Sequence, residues 1–277
     1  MDKKVVTIQD ISCFGKCSLT VALPVISAMG ISCSVIPTAI LSTHTGGFTG
    51  YTFHDLTDDI PKISDHWATL GFEFDGISTG YLGSCRQVGI VADFIARHRK
   101  RNTLVFIDPA MADNGRLYAG FDSDFAASMR ELCRTADIVV PNITEASMLV
   151  GCDYIGSGYG EDYIRSMLRA LCALGPQRAL ITGVSFDASR QGAMAYDSQS
   201  GEYIEYYSEN ISDNFHGTGD VFAAALFGAL VLGRGMGDAM KIAVDFTVAS
   251  IRATIGDDSH RYGVKFEKAL PDLIRRI

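Results

Sequence analysis

The segment Asn214-Phe215-His216-Gly217-Thr218-Gly219-Asp220 runs without a break into Val221-Phe222-Ala223-Ala224-Ala225-Leu226-Phe227. Two glycines let a backbone approach a ligand closely. The alanine-rich run predicts a helix with Asp220 in its first turn. First-turn N–H groups have no intrahelical acceptor, and the helix dipole places partial positive charge on them. Such a stretch can hold an anion beside a carboxylate that accepts a proton. It can equally be a core helix whose end is capped by Thr218 or Asp220. What the rest of the chain brings to the same edge decides between them.

The elements that would position this stretch alternate. Short apolar runs at 4–9, 31–36, 76–79, 103–107, 137–140 and 178–182 read as strands. Between them, 19–29, 84–101, 122–135, 144–150 and 161–174 have helical spacing, with further helical segments at 236–255 and 264–277. Residues 37–50 read as a long loop, and 191–196 with 202–207 as a hairpin. The alternation predicts an α/β fold: a doubly wound, mostly parallel central sheet with helices on both faces, one domain over 1–277, and a minimal lid. Ligands of such sheets bind off the carboxyl ends of the strands. Asp10, Thr45, Tyr81, Asp108, Asn142, Thr182 and Asp220 each fall at or just after a strand end.

Composition narrows the class. The 277 residues are 47% apolar and 20% charged, with a formal net charge of -8. The one basic run, Arg97-His98-Arg99-Lys100-Arg101, reads as a helix end, so no nucleic-acid partner is expected. Seven scattered cysteines lack metal spacing and suit a reducing cytosol. No apolar run is long enough for a membrane span, and no secretory leader is read before Val5, so a cytoplasmic location is expected. No Walker A ending is present, no G-x-G-x-x-G turn follows the first strand, and no G-x-S-x-G elbow follows a strand. Phosphate chemistry with a divalent cation on another architecture remains.

Several segments then carry a resemblance. Gly217-Thr218-Gly219-Asp220 resembles the signature of the ribokinase superfamily. Ser42-Thr43-His44-Thr45-Gly46, Thr79-Gly80-Tyr81-Leu82-Gly83-Ser84, Asp108 to Tyr118, Val140 to Ala146 and Leu180-Ile181-Thr182 occur in the order seen in its pyridoxal (vitamin B6) kinases. The resemblance implies an ATP-dependent kinase for a small molecule, with Mg2+, a monovalent cation such as K+, and a homodimeric assembly. By resemblance, Asp220 takes the proton from a 5′-hydroxymethyl group. Gly217, Thr218 and Gly219 hold the transferring phosphoryl group, and Asn142 and Thr182 contact nucleotide phosphate. Asp108 and Glu145 are magnesium-side acids, Asp113 and Tyr118 belong to a lid, and Asp10, His44, Thr45 and Tyr81 surround the vitamin ring.

The helix dipole predicts an ionised, weakly basic Asp220, so that orientation outweighs basicity in a loose transition state. The chain departs from the family at Asp10, where a serine is usual, at Phe14 to Ser18, and at His216. A carboxylate at position 10 would favour a protonated ring nitrogen or a cationic substituent. The alternatives are a hydroxymethylpyrimidine (phosphate) kinase of thiamine synthesis, against which the run after the first strand counts, and a catalytically silent B6-binding protein.

Overall fold

The computed structural model describes residues 2–211, 215–257, 260 and 262–277. Among the described residues nine strands form one sheet. Its centre is parallel: β1 (Lys4–Ser12), β2 (Ser32–Leu41), β4 (Gly76–Thr79), β5 (Leu104–Ile107), β8 (Ile138–Val139) and β9 (Arg178–Asp187). The edges are antiparallel: β3 (Phe53–Asp55) beside β2, and β10 (Arg190–Asp197) with β11 (Glu202–Glu209) beside β9. The order is β11-β10-β9-β8-β5-β4-β1-β2-β3. The chain leaves β1 on one side for β2 and returns on the other with β4. That reversal opens a crevice at the carboxyl ends of β1 and β4, where such sheets bind ligands. A separate two-stranded hairpin pairs β6 (Ala112–Asp113) with β7 (Arg116–Leu117).

Side chains of the central strands alternate between two cores, as the period of two requires. Val6, Val105 and Ile181 face one core; Val5, Phe106 and Leu180 face the other. The first core is covered by α2 (Ile60–Leu70), α3 (Cys85–His98), α4 (Ser123–Cys133), α5 (Ile143–Val150) and α6 (Glu161–Leu174). The second is covered by α1 (Leu19–Ala28), α7 (Thr218–Val231), α8 (Met236–Arg252) and α9 (Phe266–Arg276). Helix α7 carries apolar residues all round because it lies in that core, with Phe227 against Phe106 of β5.

Three expectations are corrected. Residues 37–41 are strand, not loop. Pro37 sits beside a register shift where β2 carries one extra residue opposite Asp10, a bulge where a missing N–H is tolerated. Asp10 therefore lies within β1 rather than in the turn after it. Strand β9 continues past Thr182 to Asp187, with the ladder register shifting opposite Gly192. No helix among the described residues is long and apolar enough to cross a membrane.

Candidate active site

The site gathers at the carboxyl ends of β1, β4, β5, β8 and β9. Its centre is the start of α7. Gly217 takes φ 77° as N-cap, and a Cβ there would lie 1.7 Å from the Lys16 carbonyl oxygen. Only glycine fits that conformation at that approach. Among the described residues no side chain caps α7; Thr218 Oγ1 donates instead to the Phe215 carbonyl at 3.3 Å. The capped-helix alternative therefore fails here. The amides that open α7 keep their capacity for an anion. Asn214 lies outside the described residues.

Asp220 is half-buried in the first turn. Burial drives its carboxyl up to about 7; the Ser18 N–H holds it down and the Asp10 carboxylate adds to the rise. The expectation of a weak, fully ionised acceptor is thereby corrected. The dipole alone would favour ionisation, but loss of water and a like charge outweigh it. Its carboxyl is held near neutrality.

Asp10 is buried and takes hydrogen bonds from the hydroxyls of Ser12, at 3.1 Å, and Ser18. Burial raises its pKa, and the two serines oppose the rise. Tyr81 lies half-buried near Asp10; burial and then Asp10 push its phenol up to about 12. One face of Tyr81 is already taken by Phe121, at 5.5 Å and 24° between planes. His44 is buried, not solvated, and its Nε2 donates to the Tyr262 carbonyl at 3.1 Å. His216 lies over Gly46 and 5.1 Å from the His44 ring, while Thr45 is exposed beside them.

The second helix start at this edge is built differently. Asn142 caps α5: its Oδ1 accepts from the Glu145 N–H at 2.9 Å, and Glu145 accepts from the Asn142 N–H at 2.9 Å, a complete capping box. Glu145 also accepts from the amides of Met111 at 3.0 Å and Ala112 at 3.4 Å. Asn142 Nδ2 donates to the Ala112 carbonyl at 2.8 Å. These two side chains thus anchor the β6–β7 hairpin to α5. Burial raises the Glu145 carboxyl to about 7, against its amide donors. Burial, Glu145 and Asp220 together push Asp108 well above the usual carboxylate range. Thr182 stands beside Asn142 through a parallel bridge, its N–H on the Pro141 carbonyl at 3.0 Å.

Asp113 is exposed at the tip of the hairpin, where Asn114 and Gly115 take φ 51° and 75°. Tyr118 follows the hairpin. Its side chain is exposed overall, while burial about the hydroxyl raises its phenol, and so do Glu145, Asp108, Asp113 and Asp220. Local spacing assigns no role to Ser12, Lys16, Ser18 or Tyr262. Each touches a site residue through the fold, and Tyr262 lies 218 positions from His44.

The comparisons with known proteins meet this geometry. The model of the family described as phosphomethylpyrimidine kinase matches residues 20–264. The chain belongs to that family, within the ribokinase superfamily. A candidate phosphomethylpyrimidine kinase from Bacteroides thetaiotaomicron, solved with pyridoxal, is 38% identical with a TM-score of 0.94, covering 99% of this chain and 96% of its own. The pyridoxal kinase of Lactobacillus plantarum is 30% identical with a TM-score of 0.90, over 99% and 97% of the two chains. The chloroplastic thiamine biosynthetic bifunctional enzyme of Arabidopsis thaliana is 30% identical over 231 residues, 81% of this chain. The chain spans only 42% of that enzyme's length. The relatives thus divide between B6 and thiamine names.

Proposed function

We propose that this chain, as one kinase domain over residues 1–277, transfers the γ-phosphoryl group of ATP to the 5′-hydroxymethyl group of a B6 vitamer: pyridoxal, pyridoxine or pyridoxamine. One observation carries the reading: a helix start with no side-chain cap among the described residues, beside a carboxyl raised to about 7. That pairing suits an alcohol acceptor, because the open amides receive the phosphoryl oxygens while Asp220 receives the hydroxyl proton. Asp220 orients the hydroxyl first and takes its proton as the P–O bond forms. The amides of Gly217, Thr218 and Gly219 neutralise charge on the transferring group. Thr182 and Asn142 stand where nucleotide phosphates would pass, and the β6–β7 hairpin with Asp113 and Tyr118 covers them. Asp10, His44, Thr45 and Tyr81 border the acceptor ring.

Asp108 and Glu145 fit a magnesium ion held through water. Their oxygens are hard ligands, Glu145 is engaged by backbone amides, and no group of three His, Cys, Asp or Glu among the described residues is arranged to hold a metal directly. Magnesium bound there would neutralise phosphate charge. A monovalent cation such as K+ is proposed on family likeness alone. A cytoplasmic homodimer accords with the free cysteines and with Ile40 and Phe53, which stay exposed at the β3 edge of the sheet.

A second reading, hydroxymethylpyrimidine or its phosphate as acceptor, is supported by the family description. The site supports it equally on the phosphoryl side. The 38% identical neighbour solved with pyridoxal and the 30% identical pyridoxal kinase support the vitamer. The test is ADP release from Mg-ATP with pyridoxal, in wild type and Asp220→Asn, together with ATP binding by calorimetry. Turnover lost in the variant with ATP binding kept supports the assignment. Near-wild-type turnover in Asp220→Asn overturns the role of Asp220. Tight pyridoxal binding without turnover in wild type would support the silent alternative.

A further inference from the structure

Tyr81 and Tyr118 reach the site from two different segments. Tyr81 follows β4 and lies near Asp10; Tyr118 follows the β6–β7 hairpin and lies near Glu145, Asp108 and Asp220. Neither hydroxyl has a hydrogen-bond partner among the described residues, so each is available to a ligand. Both rings pack on one side chain. Phe121 lies 5.5 Å from the Tyr81 ring at 24° between planes, and 6.4 Å from the Tyr118 ring at 38°. Its N–H donates to the Tyr118 carbonyl at 3.1 Å, which ties it to the end of the hairpin segment. Helix α4 holds Phe121 from the core side. Its ring stacks on buried Phe125 at 3.8 Å and 6°, and the Phe125 N–H donates to the cap Asp122 at 3.0 Å. Phe121 is therefore an anchored surface shared by half-buried Tyr81 and by Tyr118, which is 40% exposed.

Aromatic pairs at such separations attract each other beyond the area they bury. A ligand that orders one of two rings on a common partner has already met part of the entropy cost of ordering the other. We propose that Phe121 is a positioning residue that couples the acceptor side of the site to the nucleotide side. An acceptor that settles Tyr81 on Phe121 also settles the hairpin end at Tyr118, and a nucleotide under the hairpin does the converse. The proposal rests on the phosphotransferase reading, which puts the acceptor at Tyr81 and the nucleotide at Tyr118. Such coupling is reciprocal: each ligand tightens the other by the same factor. It favours the complex that holds both substrates, with the hairpin seated, over one in which bound ATP meets water.

Titration calorimetry on the full chain tests this, with pyridoxal as acceptor and a non-hydrolysable ATP analogue with Mg2+. In wild type the analogue should tighten pyridoxal about fivefold or more, and pyridoxal should tighten the analogue by the same factor. Phe121→Leu keeps apolar bulk but loses the flat face. It should bring that factor below about twofold while each ligand alone binds within about threefold of its wild-type affinity. Phe121→Tyr keeps the ring and should keep the factor. A wild-type factor near one overturns the proposal, as does an undiminished factor in Phe121→Leu. Loss of the factor in Phe121→Tyr overturns it too, because the ring is then not what carries the coupling. Binding of hydroxymethylpyrimidine in place of pyridoxal defeats the B6 assignment alone, and the same titrations with that acceptor then decide the coupling. Binding of neither acceptor overturns both.

Discussion

Asp220 is held between opposing forces. Burial and Asp10 disfavour its charge, while the Ser18 N–H and the dipole of α7 favour it. With a pKa of about 7, the acceptor form grows as pH rises through neutrality. We expect kcat/KM to rise roughly tenfold between about pH 6 and pH 8, and to be low and flat in Asp220→Asn. Stability moves in the opposite sense. Between about pH 4 and 7 the folded Asp220 holds a proton that the unfolded chain has lost, so stability falls as pH rises through that window and levels above it. At pH 8, Asp220→Asn should therefore be more stable, by about 1–2 kcal/mol, read as a higher Tm. Asp10→Ser removes a like charge near Asp220. It should shift the rise in kcat/KM to lower pH and change the ratio of kcat/KM for pyridoxamine to that for pyridoxal. Unchanged ratios would show that Asp10 does not select the vitamer.

At the scale of elements, two helix starts on one sheet edge have divided roles. Helix α5 is closed by the Asn142–Glu145 capping box and anchors the β6–β7 hairpin; α7 has no side-chain cap among the described residues. Asn142→Ala should lower stability by about 1–2 kcal/mol in chemical denaturation, with the loss confined to the denaturation midpoint. Gly217→Ala should lower kcat/KM by about 100-fold or more, since a Cβ at φ 77° meets the Lys16 carbonyl and moves the amides off the phosphoryl position. A variant with wild-type kinetics would show that those amides do not hold the phosphoryl group.

Much of this scale was legible in the sequence. The strand–helix alternation was readable because each strand is short, apolar and followed by helical spacing. Position 37 misled, because proline reads as loop and its tolerance depends on a bulge that only pairing with β1 creates. The charge state of Asp220 misled for a similar reason. Its neighbours Asp10 and Ser18 come from the first strand and the loop after it, and local spacing cannot report them.

At the scale of the molecule, the fold places five strand ends and one open helix start around a crevice at the reversal between β1 and β4. That arrangement explains phosphoryl transfer to an alcohol; choice of acceptor depends on few side chains. Asp10, Tyr81, His44 and His216 come from four separate segments, and the kinship of the chain extends to B6 and thiamine names alike. The central claim is therefore tested most directly by kcat/KM with Mg-ATP for pyridoxal and for hydroxymethylpyrimidine, measured side by side on one preparation. We expect pyridoxal to exceed hydroxymethylpyrimidine by tenfold or more. A higher value for hydroxymethylpyrimidine would contradict the B6 assignment and place the chain on the thiamine side of its family.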